Sequence, residues 1–207
     1  MLITQQAGIV PVETTLPLWE DIFKSQVDPN KKTIFDDFKT NLGPLNGRVT
    51  NGKTWTALGS SGQLWNVYDG YAAQSTANSS CRILLPYATA GKYTGIAQWN
   101  TGYVGLLIRA ADASNYHQIV LNSTGLFYTR VVAGAGVTLA SKGITMVPGK
   151  HYAIGVEWSE TNIKVYIDDD LAADVNNTDL ASNINIGLVV SDPSNKVTEI
   201  AARLPIQ

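Results

Sequence analysis

Arg109, Asp112, Asn115, Tyr116 and His117 fall within nine positions of one stretch, "RAADASNYHQIVL", in a chain that has two histidines. Such a set contains the groups used in acid–base catalysis, in binding sugar hydroxyls and in tight turns. Hydrolysis of a glycoside needs two carboxylates flanking the bond to be broken, and nucleophilic catalysis needs a base beside its nucleophile. Asp112 is the lone carboxylate here, and His117 alternates with Gln118 as in a strand. Asp112, Ser114 and Asn115 have the short polar side chains that bond nearby backbone groups in turns. The stretch therefore reads as strand, turn, strand, with no catalytic residue. Arg109, Asp112 and Asn115 are kept as polar neighbours of a bound sugar.

The run "IDDDLAADV" places Asp168, Asp169, Asp170 and Asp174 close together. Calcium favours several carboxylate oxygens, but the glycine and terminal glutamate of the helical calcium loop are absent. An acidic triplet between two β-like runs is also ordinary hairpin chemistry. Calcium near Asp168, Asp169 and Asp170 stays open at this stage, the hairpin is the stronger reading, and no metal or cofactor is assigned. "GKTW" at 52–55 has a P-loop's Gly-Lys-Thr without its upstream glycine spacing or following helix.

Aromatic rings suit sugars because a pyranose offers an apolar C–H face to stack on them. Trp99 and Tyr103 flank "NTG", a turn at the end of a strand, and are expected as exposed rings at a rim. Trp55, Trp65 and Trp158 sit inside apolar strand patterns and are expected in the core.

The elements that must carry these residues are strands. From residue 33 onward, short runs rich in Val, Ile, Tyr, Thr and Trp alternate with Gly, Asn, Asp, Ser and Pro clusters, as in an all-β sandwich. Val104, Leu106 and Ile108 share one face, and Tyr103, Leu107 and Arg109 the other; Ile163, Val165 and Ile167 oppose Lys164 and Tyr166. Residues 1–32 differ. There Leu16, Leu18, Trp19, Ile22 and Phe23 give a short amphipathic helix, with Thr14 or Thr15 to cap it and Pro17 in its first turn. A helix this short needs a surface to rest on, either the chain's own sandwich or a neighbouring subunit.

With 44% hydrophobic and 15% charged residues, the surface must be covered by uncharged polar side chains, which suits a β-rich chain. A net charge of −2 with no basic concentration argues against nucleic acid. No stretch approaches the ~18 apolar residues of a membrane span. Cys81 stands alone, so disulfide frameworks and cysteine-rich zinc sites are excluded, and it is expected in the core. The opening "MLITQQAGIVPVETT" lacks the basic and apolar regions of a secretory signal, so export by that route is not expected.

In order and spacing, "FDDF", "GKTWTAL", "GYVGLLIRAADASNYHQIVL", "GLFYTRVVAG", "YAIGVEWSETNIKVYIDDDLAADV" and "NIGLVV" resemble concanavalin A-like jelly-roll domains of the laminin-G type. The resemblance covers about residues 33–207 and is strongest to the version found in minor tail and other virion proteins of tailed bacteriophages. It implies an antiparallel two-sheet jelly roll with rim loops that in many members bind carbohydrate. Related glucanases carry Glu-x-Asp-x-x-Glu on one strand; the five glutamates here, Glu13, Glu20, Glu157, Glu160 and Glu199, do not form it. The expected protein is a non-enzymatic virion-surface component, capsid decoration or minor tail protein, assembled in the host cytoplasm. Its arm, residues 1–32, would anchor to other virion proteins, and its domain, residues 33–207, would bind host cell-wall polysaccharide weakly, in a homo-oligomer. The alternatives are a free or cell-surface carbohydrate-binding module and, last, a glycoside-active enzyme.

Overall fold

The computed structural model describes residues 34–77 and 80–204. The proposed arm, with Leu16, Leu18, Trp19, Ile22 and Phe23, lies outside them. The chain first forms β1 (Ile34–Asp36), β2 (Gly43–Pro44), β3 (Val49–Thr50), β4 (Lys53–Thr54) and β5 (Thr56–Ala57). After a 3-10 turn at Ser60–Leu64 come β6 (Trp65–Tyr68), β7 (Tyr71–Gln74), β8 (Cys81–Pro86) and β9 (Gly91–Gln98). A meander follows of β10 (Val104–Asp112), β11 (Asn115–Asn122), β12 (Gly125–Val132) and β13 (Ala135–Gly143). A second comprises β14 (His151–Trp158), β15 (Asn162–Ile167) and β16 (Asp170–Asn176), and β17 (Asn185–Val190) and β18 (Lys196–Arg203) end the fold.

Apart from β3 and β4, which pair with each other as a two-stranded ribbon, these strands build two antiparallel sheets. One is nine-stranded, in the order β16-β15-β14-β9-β18-β7-β6-β2 with β1 also paired to β18; the other is seven-stranded, in the order β13-β12-β11-β10-β17-β8-β5. The all-β sandwich expected from the alternation is what forms. The run "LWNVYDGYAAQ" folds into the hairpin of β6 and β7 about Asp69-Gly70, and "KTWTALG" divides between β4 and β5. Gly70 supplies the positive φ that this tight turn needs.

The main core lies between the sheets, and Val104, Leu106 and Ile108 of β10 and Ile163, Val165 and Ile167 of β15 all belong to it. Trp55, Trp65, Trp158 and Cys81 are buried there as expected. A second apolar cluster forms on the other side of the seven-stranded sheet, around Leu107, Tyr116, Val120 and Val189. The Arg82 guanidinium lies 4.5 Å over the Tyr116 ring on that face, and Leu107 and Val189 are fully enclosed. The outward positions of β11, Tyr116, Gln118 and Val120, carry no carboxylate.

Candidate functional site

The residues grouped by sequence do not form one site. Trp99 and Tyr103 precede β10, whereas Asp112 ends it, and nine strand residues at about 3.3 Å each put the two groups roughly 25 Å apart.

Trp99 is not an exposed ring. It is 6% exposed and belongs to the main core, and its indole Nε1 donates to the Gly102 carbonyl at 3.1 Å. The turn "NTG" folds back because fully buried Asn195 accepts from the backbone N–H of Asn100 at 2.7 Å and donates to the Thr101 carbonyl at 2.6 Å. Tyr103 is half-buried against the second apolar cluster, and its N–H donates to Ser191 Oγ at 2.8 Å.

Arg109 is not a surface neighbour of a sugar either. It is 1% exposed, and its guanidinium donates to the backbone carbonyls of Ser159, Glu160, Asn177 and Asp179. The reason is a β-bulge: pairing shifts register between Ile108 and Asp112, and Arg109 takes φ +47°. A bulge re-aims the side chain that follows the alternation elsewhere. Arg109 thus leaves the face it would share with Tyr103 and Leu107, and ties the β14–β15 turn to the turn after β16. Asp112 and Asn115 make the predicted turn, with Asp112 accepting from the Ser114 N–H at 2.8 Å and from Asn115 Nδ2 at 3.0 Å. His117 is fully buried.

A different group of residues is brought together on the outer face of the nine-stranded sheet. Cross-strand pairing aligns Asp174 with Lys164, Lys164 with Glu157, Glu157 with Lys92, and Lys92 with Arg203. These positions alternate with core residues Tyr93, Val156, Val165 and Ala202, so their side chains share the outer face. The result is a charged row across β16, β15, β14, β9 and β18. The adjoining row runs Tyr166, Gly155, Thr94, Ala201 and Phe35, small residues bracketed by two aromatics.

Four members of the charged row, Lys92, Glu157, Lys164 and Arg203, line a cavity of about 360 Å³ together with Trp158, Ser159 and Asn162. Lys92 Nζ lies 2.7 Å from Glu157 Oε1, and the Tyr166 hydroxyl donates to Glu157 Oε2 at 3.3 Å. Burial works against the Glu157 carboxylate, but the bonds from Lys92 and Tyr166 outweigh it and hold its pKa below the ordinary value. Lys164 Nζ is 3.8 Å from Asp174. Asn162 N–H donates to Ser159 Oγ at 3.1 Å, and its side-chain amide donates to Asp174 at 2.7 Å. Trp158, 4% exposed, has a buried indole N–H with no hydrogen-bond partner. Arg109 holds the Ser159–Glu160 backbone beside the cavity, so its role here is positioning.

The acidic hairpin is accounted for by local bonds. Asp168 accepts from the Ala153 N–H at 2.8 Å and lies 3.6 Å from Lys150. Among the described residues no group of three His, Cys, Asp or Glu side chains is placed to hold a metal ion.

No family model and no curated protein sequence matches the chain. Solved structures do. A carbohydrate-binding module, CBM66 from Bacillus subtilis, aligns over 72% of this chain and 91% of its own with 18% identity and a TM-score of 0.57. SCLam, a non-specific endo-β-1,3(4)-glucanase of family GH16, aligns over 82% and 89% with 12% identity and a TM-score of 0.59. The laminarinase from Rhodothermus marinus aligns over 84% and 96% with 13% identity and a TM-score of 0.58. At these identities the likeness is one of fold: the chain folds, as these proteins do, into an antiparallel two-sheet jelly-roll sandwich.

Proposed function

We propose that this protein is a non-enzymatic carbohydrate-binding jelly roll whose binding site is the cavity lined by Lys92, Glu157, Asn162, Lys164 and Arg203. The observation that carries this reading is the cavity itself. Its rim sets charged donors and acceptors on adjacent strands, about 4.8 Å apart, which suits a ligand rich in hydroxyl groups. The fold is shared with a carbohydrate-binding module and with glucanases, so both binding and hydrolysis have precedent on it. Hydrolysis is disfavoured by the donors. Glu157 is the sole carboxylate among the lining residues and is held ionised by Lys92 and Tyr166, whereas glycosidases use a pair with one member kept protonated.

The finer reading is that the domain is displayed on a bacteriophage virion, with the arm of residues 1–32 joined to capsid or tail proteins and the jelly roll contacting host wall polysaccharide in repeated copies. It rests on the sequence resemblance, and weak single sites fit it because linked copies raise avidity by about 10²–10⁴.

The test is calorimetric titration with a panel of bacterial wall polysaccharides and β-glucans, wild type beside Lys92→Ala, with reducing ends measured in the same mixtures. Binding that weakens at least tenfold in the variant, with no reducing ends released, is expected. Unchanged binding in Lys92→Ala places the site elsewhere, and release of reducing ends that stops in Glu157→Gln makes the protein an enzyme.

A further inference from the structure

The turn Asn51-Gly52 joins β3 to β4, with φ +49° and +73° at its two residues, the left-handed pair that a two-residue hairpin favours. It brings the hairpin against β1, where Asn51 Oδ1 accepts from the Phe35 N–H at 3.2 Å. A buried network lies alongside. Asp36, 5% exposed, accepts from the Phe38 N–H at 2.9 Å, from Arg48 Nη2 at 2.8 Å and from Thr50 Oγ1 at 2.6 Å. The Trp55 indole N–H in turn donates to Thr50 Oγ1 at 3.0 Å. Asp36, Arg48 and Thr50 line a pocket of about 200 Å³ with Phe35, Asp37, Asn41 and Asn51.

The network leaves Arg48 incompletely used. Its side chain is 7% exposed and its guanidinium lies 5.6 Å from the centre of the Phe38 ring, yet Nε and Nη1 are buried with no hydrogen-bond partner. Native proteins leave few buried donors in that state, so the two nitrogens call for an acceptor from the pocket side. The charges narrow what brings it. Asp36 answers Arg48, and Asp37 lies 3.3 Å from Lys39, so the pocket has neither sign in excess. An anion would meet the carboxylates of Asp36 and Asp37, and a cation would meet Arg48. A neutral molecule rich in hydroxyl groups meets neither penalty. Phe35, 44% exposed, adds an aromatic ring that suits the apolar C–H face of a sugar. The volume lies below the roughly 300–1,000 Å³ of pockets for drug-sized ligands, which leaves room for about one ring.

We infer that this pocket is a second carbohydrate site, which takes one neutral sugar ring such as the end residue of a glycan. The ring stacks on Phe35, its oxygens accept from Arg48, and its remaining hydroxyls bond the side-chain amides of Asn41 and Asn51. Arg48 is fixed in advance by Asp36 and Phe38, so little order is lost when the sugar arrives. No residue lines both this pocket and the cavity around Lys92, and the two sites are therefore separable.

The test is a nitrogen-15 NMR titration of the full chain with the methyl glycosides of glucose, galactose, mannose, rhamnose and N-acetylglucosamine, taken into the millimolar range. At least one glycoside should move the Arg48 Nε–H and Asn51 N–H signals in a saturable way. Phe35→Ala should weaken that binding at least fivefold, and so should Arg48→Lys, which keeps the charge beside Asp36 and removes Nε and Nη1. Asn41→Gly, which tolerates the positive φ of that exposed loop position, should weaken it less, and Lys92→Ala should leave it unchanged. Thermal melting checks that each variant is folded. No saturable shift at Arg48 and Asn51 with any of the five glycosides overturns the pocket, as does an affinity that Phe35→Ala and Asn41→Gly both leave intact. Polysaccharide binding lost in Lys92→Ala, with no shift at Arg48, overturns this pocket alone and leaves the cavity reading; shifts at Arg48 with polysaccharide binding unchanged in Lys92→Ala do the reverse.

Discussion

The imidazole Nδ1 of His117 lies 2.7 Å from the Tyr128 hydroxyl, and both side chains are fully buried. On the other side of the ring, Nε2 is 3.2 Å from the Asp179 carbonyl. A carbonyl only accepts, so this network assigns the proton to Nε2 and makes Nδ1 the acceptor of the Tyr128 O–H. Burial, and next the nearby Arg109 charge, push the His117 pKa down to about 4.

This sets a direction for acid stability. In the unfolded chain His117 takes a proton near pH 6.5, while in the folded chain it stays neutral until about pH 4. Between those values the unfolded state binds more protons. The His117 contribution is therefore complete above pH 6.5 and is lost as pH falls toward 4, by roughly 3 kcal/mol. Urea unfolding of wild type and His117→Gln at pH 7 and pH 4 should show a smaller loss in the variant by about that amount; equal losses contradict the assignment.

Arg109→Met removes the donor shared by four backbone carbonyls in two turns. A loss on the order of 3 kcal/mol is expected, since buried acceptors are left without partners. Hydrogen exchange at Ser159 to Asn162 should rise more than the global loss accounts for, because the turn beside the cavity loses its tie. Exchange that rises uniformly argues against a positioning role.

Trp99→Ala should cost about 3–5 kcal/mol of stability, as for other buried aromatic rings. A surface sugar platform would lose binding and keep its melting temperature. Trp99→Phe, which keeps most of the ring volume, should melt near wild type and bind as wild type does; a folded Trp99→Phe that has lost binding restores the ring to the ligand site.

Deleting residues 1–32 should leave a cooperatively melting domain, because the described strand pairing starts at Ile34, opposite Ala202. The deletion should abolish joining to the parent assembly if the arm is its anchor. A drop of several kcal/mol in domain stability instead assigns Leu16, Trp19 and Phe23 to the core of this chain.

The fold was legible because period-two alternation is written locally: Val104, Leu106 and Ile108 and then Ile163, Val165 and Ile167 each declare a buried face within five residues. The candidate site was not. Lys92, Glu157, Lys164 and Arg203 are each an ordinary polar residue on the wet side of a strand, and only the register between strands distant in sequence makes them neighbours. Arg109 escaped for another reason, a bulge that alternation does not foresee. Trp99 was misplaced because a ring beside a turn looks exposed until the turn is seen to be pinned by Asn195, nearly a hundred residues later.

The central strand β9 is flanked by β14 on one edge and by β18 on the other, and β1 also depends on β18 for its pairing. In the second sheet β8 and β10 are joined only through β17. During synthesis, both sheets therefore stay split until residues 185–203 leave the ribosome. Up to that moment β9, β8 and β10 each carry an open hydrogen-bonding edge next to Ile83, Leu85, Tyr93, Leu106 and Ile108. Closing these long-range pairs is slow by its topology, and nascent chains crowded on one messenger are most exposed to mispairing in that interval.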